Sequence, residues 1–200
     1  MTDFLTSIEA ELIALRRDLH ANPEIGLHLP WTQARVLQAL EGLPLEITLG
    51  ETVSSVVAVL RGRAASDDKS VVLLRGDMDG LPLTEASGAE FASTNGAMHA
   101  CGHDGHTAIL LAAAKALAES REFDGTLNLI FQPDEENLCG ARAMNEDGLF
   151  ERFPCDAVYA LHNMPGAPAG SFRVLPGPVS LSSDVADVTI KGMGGHGAMP

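Results

Sequence analysis

Aromatic residues, positive charge, cysteine and long apolar runs are all scarce in this 200-residue chain. Phe, Trp and Tyr supply only 4% of the residues, whereas 46% are hydrophobic, so a core has to be built mainly from Ala, Leu and Val. This apolar content excludes an intrinsically disordered chain. The length is sufficient for one sizeable core, or for one domain and part of a second.

The scarcity of positive charge limits the partners. Lys and Arg number 13 against 27 Asp and Glu, which gives a formal net charge of -14 and a sequence pI near 4.7. Phosphate binding needs a clustered basic surface, so nucleic acid and anionic membrane are excluded as main partners. An anionic substrate would have to be held locally, by a metal ion, an Arg side chain or backbone N–H groups.

The three cysteines, Cys101, Cys139 and Cys155, have no CxxC spacing. An odd number without that spacing does not indicate a disulfide framework and favours a reducing compartment. The amino terminus has neither the basic nor the apolar segment of a secretory signal, and no apolar run approaches the length of a membrane span. We therefore expect a cytoplasmic protein.

Helix and strand patterns alternate along the chain and predict an α/β fold with a mostly parallel sheet and helices on both faces. Apolar residues at steps of three and four predict a first helix from Leu5 to about His20. A second helix is expected to follow Thr32 as its N-cap, and a third to begin at the N-cap Asp104. A fourth is expected around residues 141–146, and strands are expected over residues 53–60, 71–74, 127–131 and 157–161.

The segment His99-Ala-Cys-Gly-His-Asp-Gly-His106 offers a thiol, three imidazoles and a carboxylate within eight positions. These are the side chains that bind borderline transition metals. Cys101 and His103 are spaced as two ligands from one loop, and Gly102 lets the backbone bend tightly between them. A lone Cys or His is more often structural, but this density in a glycine-rich loop favours a metal site.

Acidic residues and a histidine follow three separate predicted strands. Because ligands bind beyond the carboxyl ends of parallel strands, these groups and the Cys101/His103 loop are expected to meet at one edge of the sheet. Such a set exceeds what one tetrahedral ion needs, so we favour two metal ions that share a ligand. The groups at the strand ends are Asp77 and Asp79, Glu135 and Glu136, and His162.

Five motifs, taken together, resemble the metal-dependent amidohydrolases that include hippurate hydrolases, N-acyl-amino-acid amidohydrolases and indoleacetyl-amino-acid hydrolases. The resemblance runs from about Leu15 to the last residue. It implies a zinc-peptidase-like catalytic domain over residues 1–182 and the start of an α+β lid over residues 183–200, with a first strand from Val185 to Lys191. The motifs are Arg75-Gly-Asp-Met-Asp-Gly-Leu-Pro82, His99 to Thr107, Phe131-Gln-Pro-Asp-Glu-Glu136, Leu161-His-Asn163 and Gly194-Gly-His-Gly-Ala-Met-Pro200.

The resemblance also implies residue roles. Cys101 would bridge two divalent ions, for which Mn, Zn, Ni and Co are the candidates, while His103, Glu136 and His162 complete most of the coordination. Glu135 matches the general base, which takes a proton from the metal-bound water and returns it to the leaving amine. The implied reaction is hydrolysis of the amide bond of N-acyl amino acids, with small hippurate-like molecules as substrates.

Two further residues have implied roles outside the metal coordination. Asp79 matches an acidic residue that orients a site histidine. His196 matches a lid histidine that reaches the substrate of the other subunit, which implies a homodimer or homotetramer for the full-length form.

Two departures from the family pattern stand out. Asp134 replaces the usual Ala, and a third carboxylate beside Glu135 and Glu136 is expected to shift the pKa of Glu135 or weaken binding of a substrate carboxylate. The second departure is length, because the family continues beyond Pro200 with the rest of the lid and one further metal-ligand histidine.

Two alternatives to the amidohydrolase remain open at this stage. One is a metal-binding but catalytically inactive fragment, or a subunit that depends on a partner. The other is a thiol hydrolase with Cys101 as nucleophile and a nearby His as base. The thiol hydrolase gives no reason for Glu135, Glu136 and His162 to follow strand ends.

Overall fold

The computed structural model describes residues 2–63, 70–179 and 186–198. Contacts divide the chain into two units, Met1–Met164 and Pro165–Pro200. The predicted boundary between residues 182 and 183 falls outside the described residues, so the domain division stays a prediction. Val185 is also outside them, and no strand is assigned over residues 186–191. A strand is held by hydrogen bonds to a neighbouring strand, and no described residue provides a ladder for this segment.

All the helices and strands of the described residues lie in the first unit. The helices are α1 (Thr2–Ala21), α2 (Pro30–Leu40), α3 (His103–Ser120), α4 (Gly140–Glu146) and α5 (Leu149–Arg152). The strands are β1 (Glu46–Leu49), β2 (Val56–Arg61), β3 (Val71–Asp77), β4 (Thr126–Gln132) and β5 (Ala157–Ala160). The first helix, the four predicted strands and the helix around residues 141–146 are all present.

The strands form one mixed sheet in the order β1-β2-β4-β3-β5. β3 pairs in parallel with both β4 and β5, and β2 pairs antiparallel with β1 and β4. The last residue of β3, Asp77, lies opposite the last residue of β4, Gln132. The three parallel strands therefore end at the same edge of the sheet, which is the arrangement that the sequence predicted for the site.

Helices cover both faces of the sheet, as expected. Neighbouring residues of a strand point to opposite faces, so a single strand contributes side chains to the apolar clusters on both sides. Val56 and Ala58 of β2 pack with α1, α2 and α3 in one apolar cluster, while Val57 and Val59 pack with Met144 of α4 and Leu149 of α5 in another. The second face is covered less completely. A cleft of about 410 Å³ remains there, lined by Leu73, Ile130, Leu138, Phe150, Val158 and others.

The starts of two helices differ from the prediction. α2 begins at Pro30. The carboxylate of Glu24 accepts hydrogen bonds from the backbone N–H groups of Trp31 and Thr32, at 3.2 and 2.8 Å. Thr32 therefore lies in the first turn rather than at the N-cap. α3 begins at His103, so its N-cap is Gly102 and not Asp104.

β5 forms one edge of the sheet, and its outer side pairs with no strand of the described residues. Its side chains are open to solvent, with Val158 55% and Tyr159 61% exposed. None of the described helices combines the length and the apolar character needed to cross a membrane.

Candidate metal centre

The carboxyl ends of β3, β4 and β5 place the site residues. Asp77 ends β3 and Asp79 follows two residues later, Glu135 and Glu136 follow β4, and His162 follows β5. The first turn of α3 faces the same edge and carries His103 and His106, with Cys101 just before it. All of these predicted groups therefore meet in the first unit, from four segments that are separated in sequence.

His103 lies at the centre of the group and is fully buried. Its Nδ1 faces the backbone oxygen of Asp79 at 2.9 Å and Oδ1 of the same residue at 3.1 Å, so this nitrogen carries the proton. When the ring is neutral, as a metal-binding imidazole is, Nε2 then has a free lone pair. That atom lies 3.8 Å from a carboxylate oxygen of Glu135, 3.8 Å from one of Glu136 and 3.6 Å from one of Asp77.

Two of these atoms are buried without a hydrogen-bond partner. They are Nε2 of His103 and Oε1 of Glu136. Buried polar atoms are nearly always paired, and an imidazole lone pair facing carboxylate oxygens has no proton to share with them. A cation between these groups would satisfy both atoms, so the residues present fit a divalent metal ion.

Ligand atoms come together in three sets, each with all its atoms within 4.8 Å of one another. The donors combine sulfur, nitrogen and oxygen, which suits Zn and neighbouring transition metals more than Mg. His103 belongs to every set, which places it at the centre of the group. The sets are Cys101, His103 and His162; Asp77, His103 and His106; and His103, Glu135 and Glu136.

The sequence placed Asp77 at this edge and His106 in the histidine-rich segment but assigned neither of them a role, and the structure pairs the two within the site. Nδ1 of His106 lies 2.6 Å from Oδ1 of Asp77, and its Nε2 accepts the backbone N–H of Asn163 at 3.1 Å. Arg75 binds the other carboxylate oxygen of Asp77 at 2.6 Å. The available signal was spacing, because His106 lies one helical turn beyond His103.

Cys101 and His162 approach each other at the open side of the site. Sγ of Cys101 is 3.4 Å from Nε2 of His162, whose Nδ1 donates to the backbone oxygen of Asn163 at 2.7 Å. Gly102 sits between the ligands with φ +92°, and a Cβ there would lie 2.3 Å from Oδ1 of Asn163. Only glycine fits this position, because both the backbone angle and the space exclude a side chain.

Asp77 and Asp79 are held ionised. Burial raises the pKa of Asp77, but hydrogen bonding to His106 and the charges of Arg75 and His103 outweigh it and lower this pKa to about 2. Burial likewise opposes ionisation of Asp79, whose pKa is nevertheless lowered, chiefly by the hydrogen bond from His103 and by the backbone N–H of Glu136. The pKa of His103 is raised, because Asp79 and Asp77 outweigh the effect of its burial.

Cys101 and Glu136 resist ionisation. Burial and the nearby carboxylate of Glu136 raise the pKa of Cys101 to about 11. Burial also raises the pKa of Glu136, with a further contribution from Glu135 and an opposing one from His103. The site therefore concentrates more negative charge than its own protons and cations balance, and a bound cation would reverse these shifts.

Asp134 is buried and lies in the left-handed region, with φ +52°. Its Oδ1 accepts a hydrogen bond from the Asn137 side chain at 2.6 Å. Its expected influence on Glu135 stays a prediction. His196 belongs to the second unit, where it is exposed and its Nδ1 accepts the N–H of Ala198 at 3.2 Å. Its assignment to substrate binding also stays a prediction.

Comparison with known proteins identifies the family. The model of peptidase family M20/M25/M40 matches residues 73–198, which include every strand-end residue described above. This chain belongs to that family. The family assignment agrees with the five motifs and with the α/β fold whose helices cover both faces of the sheet.

Several M20 relatives show high similarity over almost the whole chain. Hippurate hydrolase of Campylobacter jejuni is 44% identical over 199 residues, which are 98% of this chain and 50% of that protein. N-acetylcysteine deacetylase of Bacillus subtilis is 38% identical, over 97% of this chain and 50% of that protein. The chain therefore spans half the length of these curated relatives.

A solved structure supports the fold directly. A Bacillus subtilis protein described as a dinuclear metal-binding peptidase of the M20 family superimposes with a TM-score of 0.75 at 37% identity. The match covers 82% of this chain and 45% of that chain. The fold of this chain is therefore that of part of an M20 metallopeptidase.

Proposed function

We propose that this M20 chain supplies the metal-binding part of an amidohydrolase that cleaves the amide bond of N-acyl amino acids. The observation that carries the proposal is the buried Nε2 of His103. This atom has no hydrogen-bond partner and faces the carboxylates of Glu135 and Glu136 across 3.8 Å.

Cys101, His103, Glu136 and His162 are proposed to hold two divalent ions, with Cys101 shared between them. Zn, Mn, Ni and Co are the candidates, since the donors are sulfur, nitrogen and oxygen. When bound, such ions polarise a carbonyl group and make hydroxide accessible near neutral pH. Asp79 fixes the His103 ring so that Nε2 faces the ions.

Glu135 is the proposed general base. Its side chain is 34% exposed, compared with 19% for Glu136, so it is the more accessible of the two to water and substrate. It would accept a proton from the attacking water and deliver it to the amine that leaves. The neighbouring residue Glu136 is the more enclosed member and suits a ligand role.

The substrate class rests on the relatives. Hippurate hydrolase and N-acetylcysteine deacetylase are both named for acylated amino acids. We propose small N-acyl amino acids as substrates, contact from His196 of another subunit, and a homodimer or homotetramer for the full-length form. The cysteine spacing favours a reducing compartment, and we propose the cytoplasm.

The first test is metal content per folded chain. The wild-type protein and Cys101→Ala are loaded with Zn²⁺ or Mn²⁺, desalted and analysed by mass spectrometry of the metals, with Cys139→Ala as the matched control. Two ions in the wild type and in Cys139→Ala, with loss of one or both in Cys101→Ala, are expected. A folded wild-type chain that binds no metal would refute the proposed centre.

A partner-dependent or inactive metal-binding subunit is the second candidate, because the chain spans half the length of its relatives. Hydrolysis of N-benzoyl and N-acetyl amino acids distinguishes the two. A rate that rises linearly with the concentration of this chain, in the presence of added metal, eliminates the second candidate. Metal binding without turnover would support it.

A further inference from the structure

His20 lies outside the candidate metal centre but is buried, near the end of α1. Both of its ring nitrogens face carboxylate oxygens. Nδ1 lies 2.7 Å from Oδ2 of Asp104, and Nε2 lies 3.0 Å from Oε1 of Glu85. The side chains of both acidic partners are fully enclosed. One imidazole therefore connects three segments that are far apart in sequence.

The two partners of His20 lie on either side of the loop that carries Cys101. Asp104 directly follows His103 in the first turn of α3. Glu85 belongs to a segment closed by a two-way backbone pairing of Leu81 with Met98, at 2.9 Å in each direction. The chain from Met98 to His103, which includes Cys101, therefore runs between two anchors that meet at His20.

Both partners of His20 have further polar contacts. Oδ2 of Asp104 also forms an ion pair with Nε of Arg16, at 2.8 Å. The Arg16 side chain is 38% exposed and belongs to α1, as His20 does. The second oxygen of Glu85 accepts the backbone N–H of Ser93 at 2.6 Å, which fixes the carboxylate within its own segment. Among the described residues, His20 hydrogen-bonds directly to both Glu85 and Asp104. Arg16 adds a second connection, because it pairs with Asp104 and its guanidinium lies 5.4 Å from the ring centre of Phe91 in the Glu85 segment.

We propose that His20 is a positioning residue for the metal-ligand loop, acting through Asp104 and Glu85 to hold Cys101 and His103 at the spacing that binding requires. The proposal rests on the proposed metal centre. In a helix, neighbouring residues point about 100° apart, so fixing Asp104 against α1 fixes the direction of His103 towards the site. Loss of His20 would free the first turn of α3 without removing any ligand.

The test measures Co²⁺ affinity by competition with a chelator, and records the visible absorption of bound Co²⁺, which reports on coordination geometry. Outer partners of metal ligands typically contribute about 10- to 100-fold to metal affinity. We expect His20→Ala to weaken Co²⁺ binding at least tenfold and to change the absorption spectrum. Val36→Ala is the control, because Val36 is fully buried in the core on α2 and has no polar contact.

Two conservative variants keep the test decisive if His20→Ala does not fold. His20→Asn places an amide nitrogen near the position of Nδ1 and can keep the bond to Asp104, whereas His20→Gln places one near Nε2 and can keep the bond to Glu85. We expect His20→Asn to stay within about threefold of wild type and His20→Gln to bind about tenfold more weakly, since Asp104 adjoins the ligand His103.

The outcomes separate this inference from the proposed function. Absence of Co²⁺ binding in the wild type would refute the metal centre itself, and the positioning role with it. Wild-type affinity in His20→Ala or His20→Gln would refute only the positioning role. The positioning role would also be refuted if Val36→Ala and His20→Ala lost equal Co²⁺ affinity at equal loss of thermal stability. The loss of affinity would then be caused by general destabilisation.

Discussion

Asp79 and His103 share a buried contact in which Nδ1 of the imidazole faces both the backbone oxygen and Oδ1 of the aspartate, at 2.9 and 3.1 Å. The other carboxylate oxygen of Asp79 accepts the backbone N–H of Glu136 at 3.1 Å. One aspartate thus fixes two candidate ligands, one on α3 and one after β4. This geometry suits the proposed role of Asp79, which is to orient these two residues.

Asp79→Asn is expected to weaken Zn²⁺ binding by about 10- to 100-fold, because the amide cannot hold the Nδ1–H tautomer of His103 as a carboxylate does. Affinity is measured by competition with a chromophoric chelator. Asp147→Asn is the control, since Asp147 anchors Thr52 and Glu51 by hydrogen bonds and belongs to none of the ligand sets. Equal affinities for Asp79→Asn and the wild type would contradict the orienting role.

Gly102→Ala and Gly105→Ala are expected to act in opposite directions. Alanine at position 102 would adopt φ +92° and meet Asn163, so we expect a loss of roughly 1–3 kcal/mol in the free energy of unfolding and loss of metal binding. Gly105 lies in α3 with open space around it, so alanine there should stabilise the protein by about 0.5–1 kcal/mol. Urea unfolding measures both, and a stable Gly102→Ala would disprove the close approach.

Cys101 is expected to react slowly with iodoacetamide in the metal-free protein. Its pKa is raised to about 11, so only about 0.1% of the thiol is ionised at pH 8. The exposed Cys139 is an internal control in the same chain. Peptide mass spectrometry should show Cys139 modified at least tenfold faster. Faster modification of Cys101 would instead favour the thiol-hydrolase alternative, which needs an activated thiolate.

The charge of Asp77 is expected to make the free energy of unfolding depend on pH. Its pKa falls from 3.8 to about 2 on folding, which corresponds to roughly 2 kcal/mol of stability that is fully present well above the unfolded pKa. The contribution declines below about pH 5 and is small near pH 2, because the folded carboxylate then becomes protonated.

Urea unfolding of the wild type and Asp77→Asn, with a chelator present, measures this contribution. The difference in stability between the two proteins should shrink as the pH falls from about 6 to about 3. A difference that stays constant over this range would show that the Asp77 charge does not contribute to stability.

The sequence predicted which groups gather at one edge of the sheet, because strand ends are local features. Glu135, Glu136 and His162 each follow an apolar run directly, and parallel strands bring such positions together. Asp77 and His106 were assigned no role, since their pairing joins β3 to α3 across 29 positions and leaves no local pattern. His20 was assigned only to a packing helix for the same reason.

The fold was less predictable where contacts between residues far apart in sequence determine the local structure. Thr32 and Asp104 have the composition of N-caps, but Glu24 accepts the first N–H groups of α2, and Asp104 is already bound by Arg16 and His20. The short strand β1 and the antiparallel direction of β2 were also missed. An apolar run shows that a strand is buried, but does not show which way its neighbours run.

The open edge of β5 bears on how the protein behaves at high concentration. The outer backbone groups of β5 pair with no strand in the described part of the chain, and beside Val158 and Tyr159 they can accept a strand from another molecule, which would extend the sheet from one copy to the next. The net charge of -14 at pH 7 opposes such contacts by mutual repulsion. We therefore expect light scattering to detect growing assemblies when salt screens this repulsion, or when the pH approaches 4.7, and to detect few of them in dilute buffer at neutral pH.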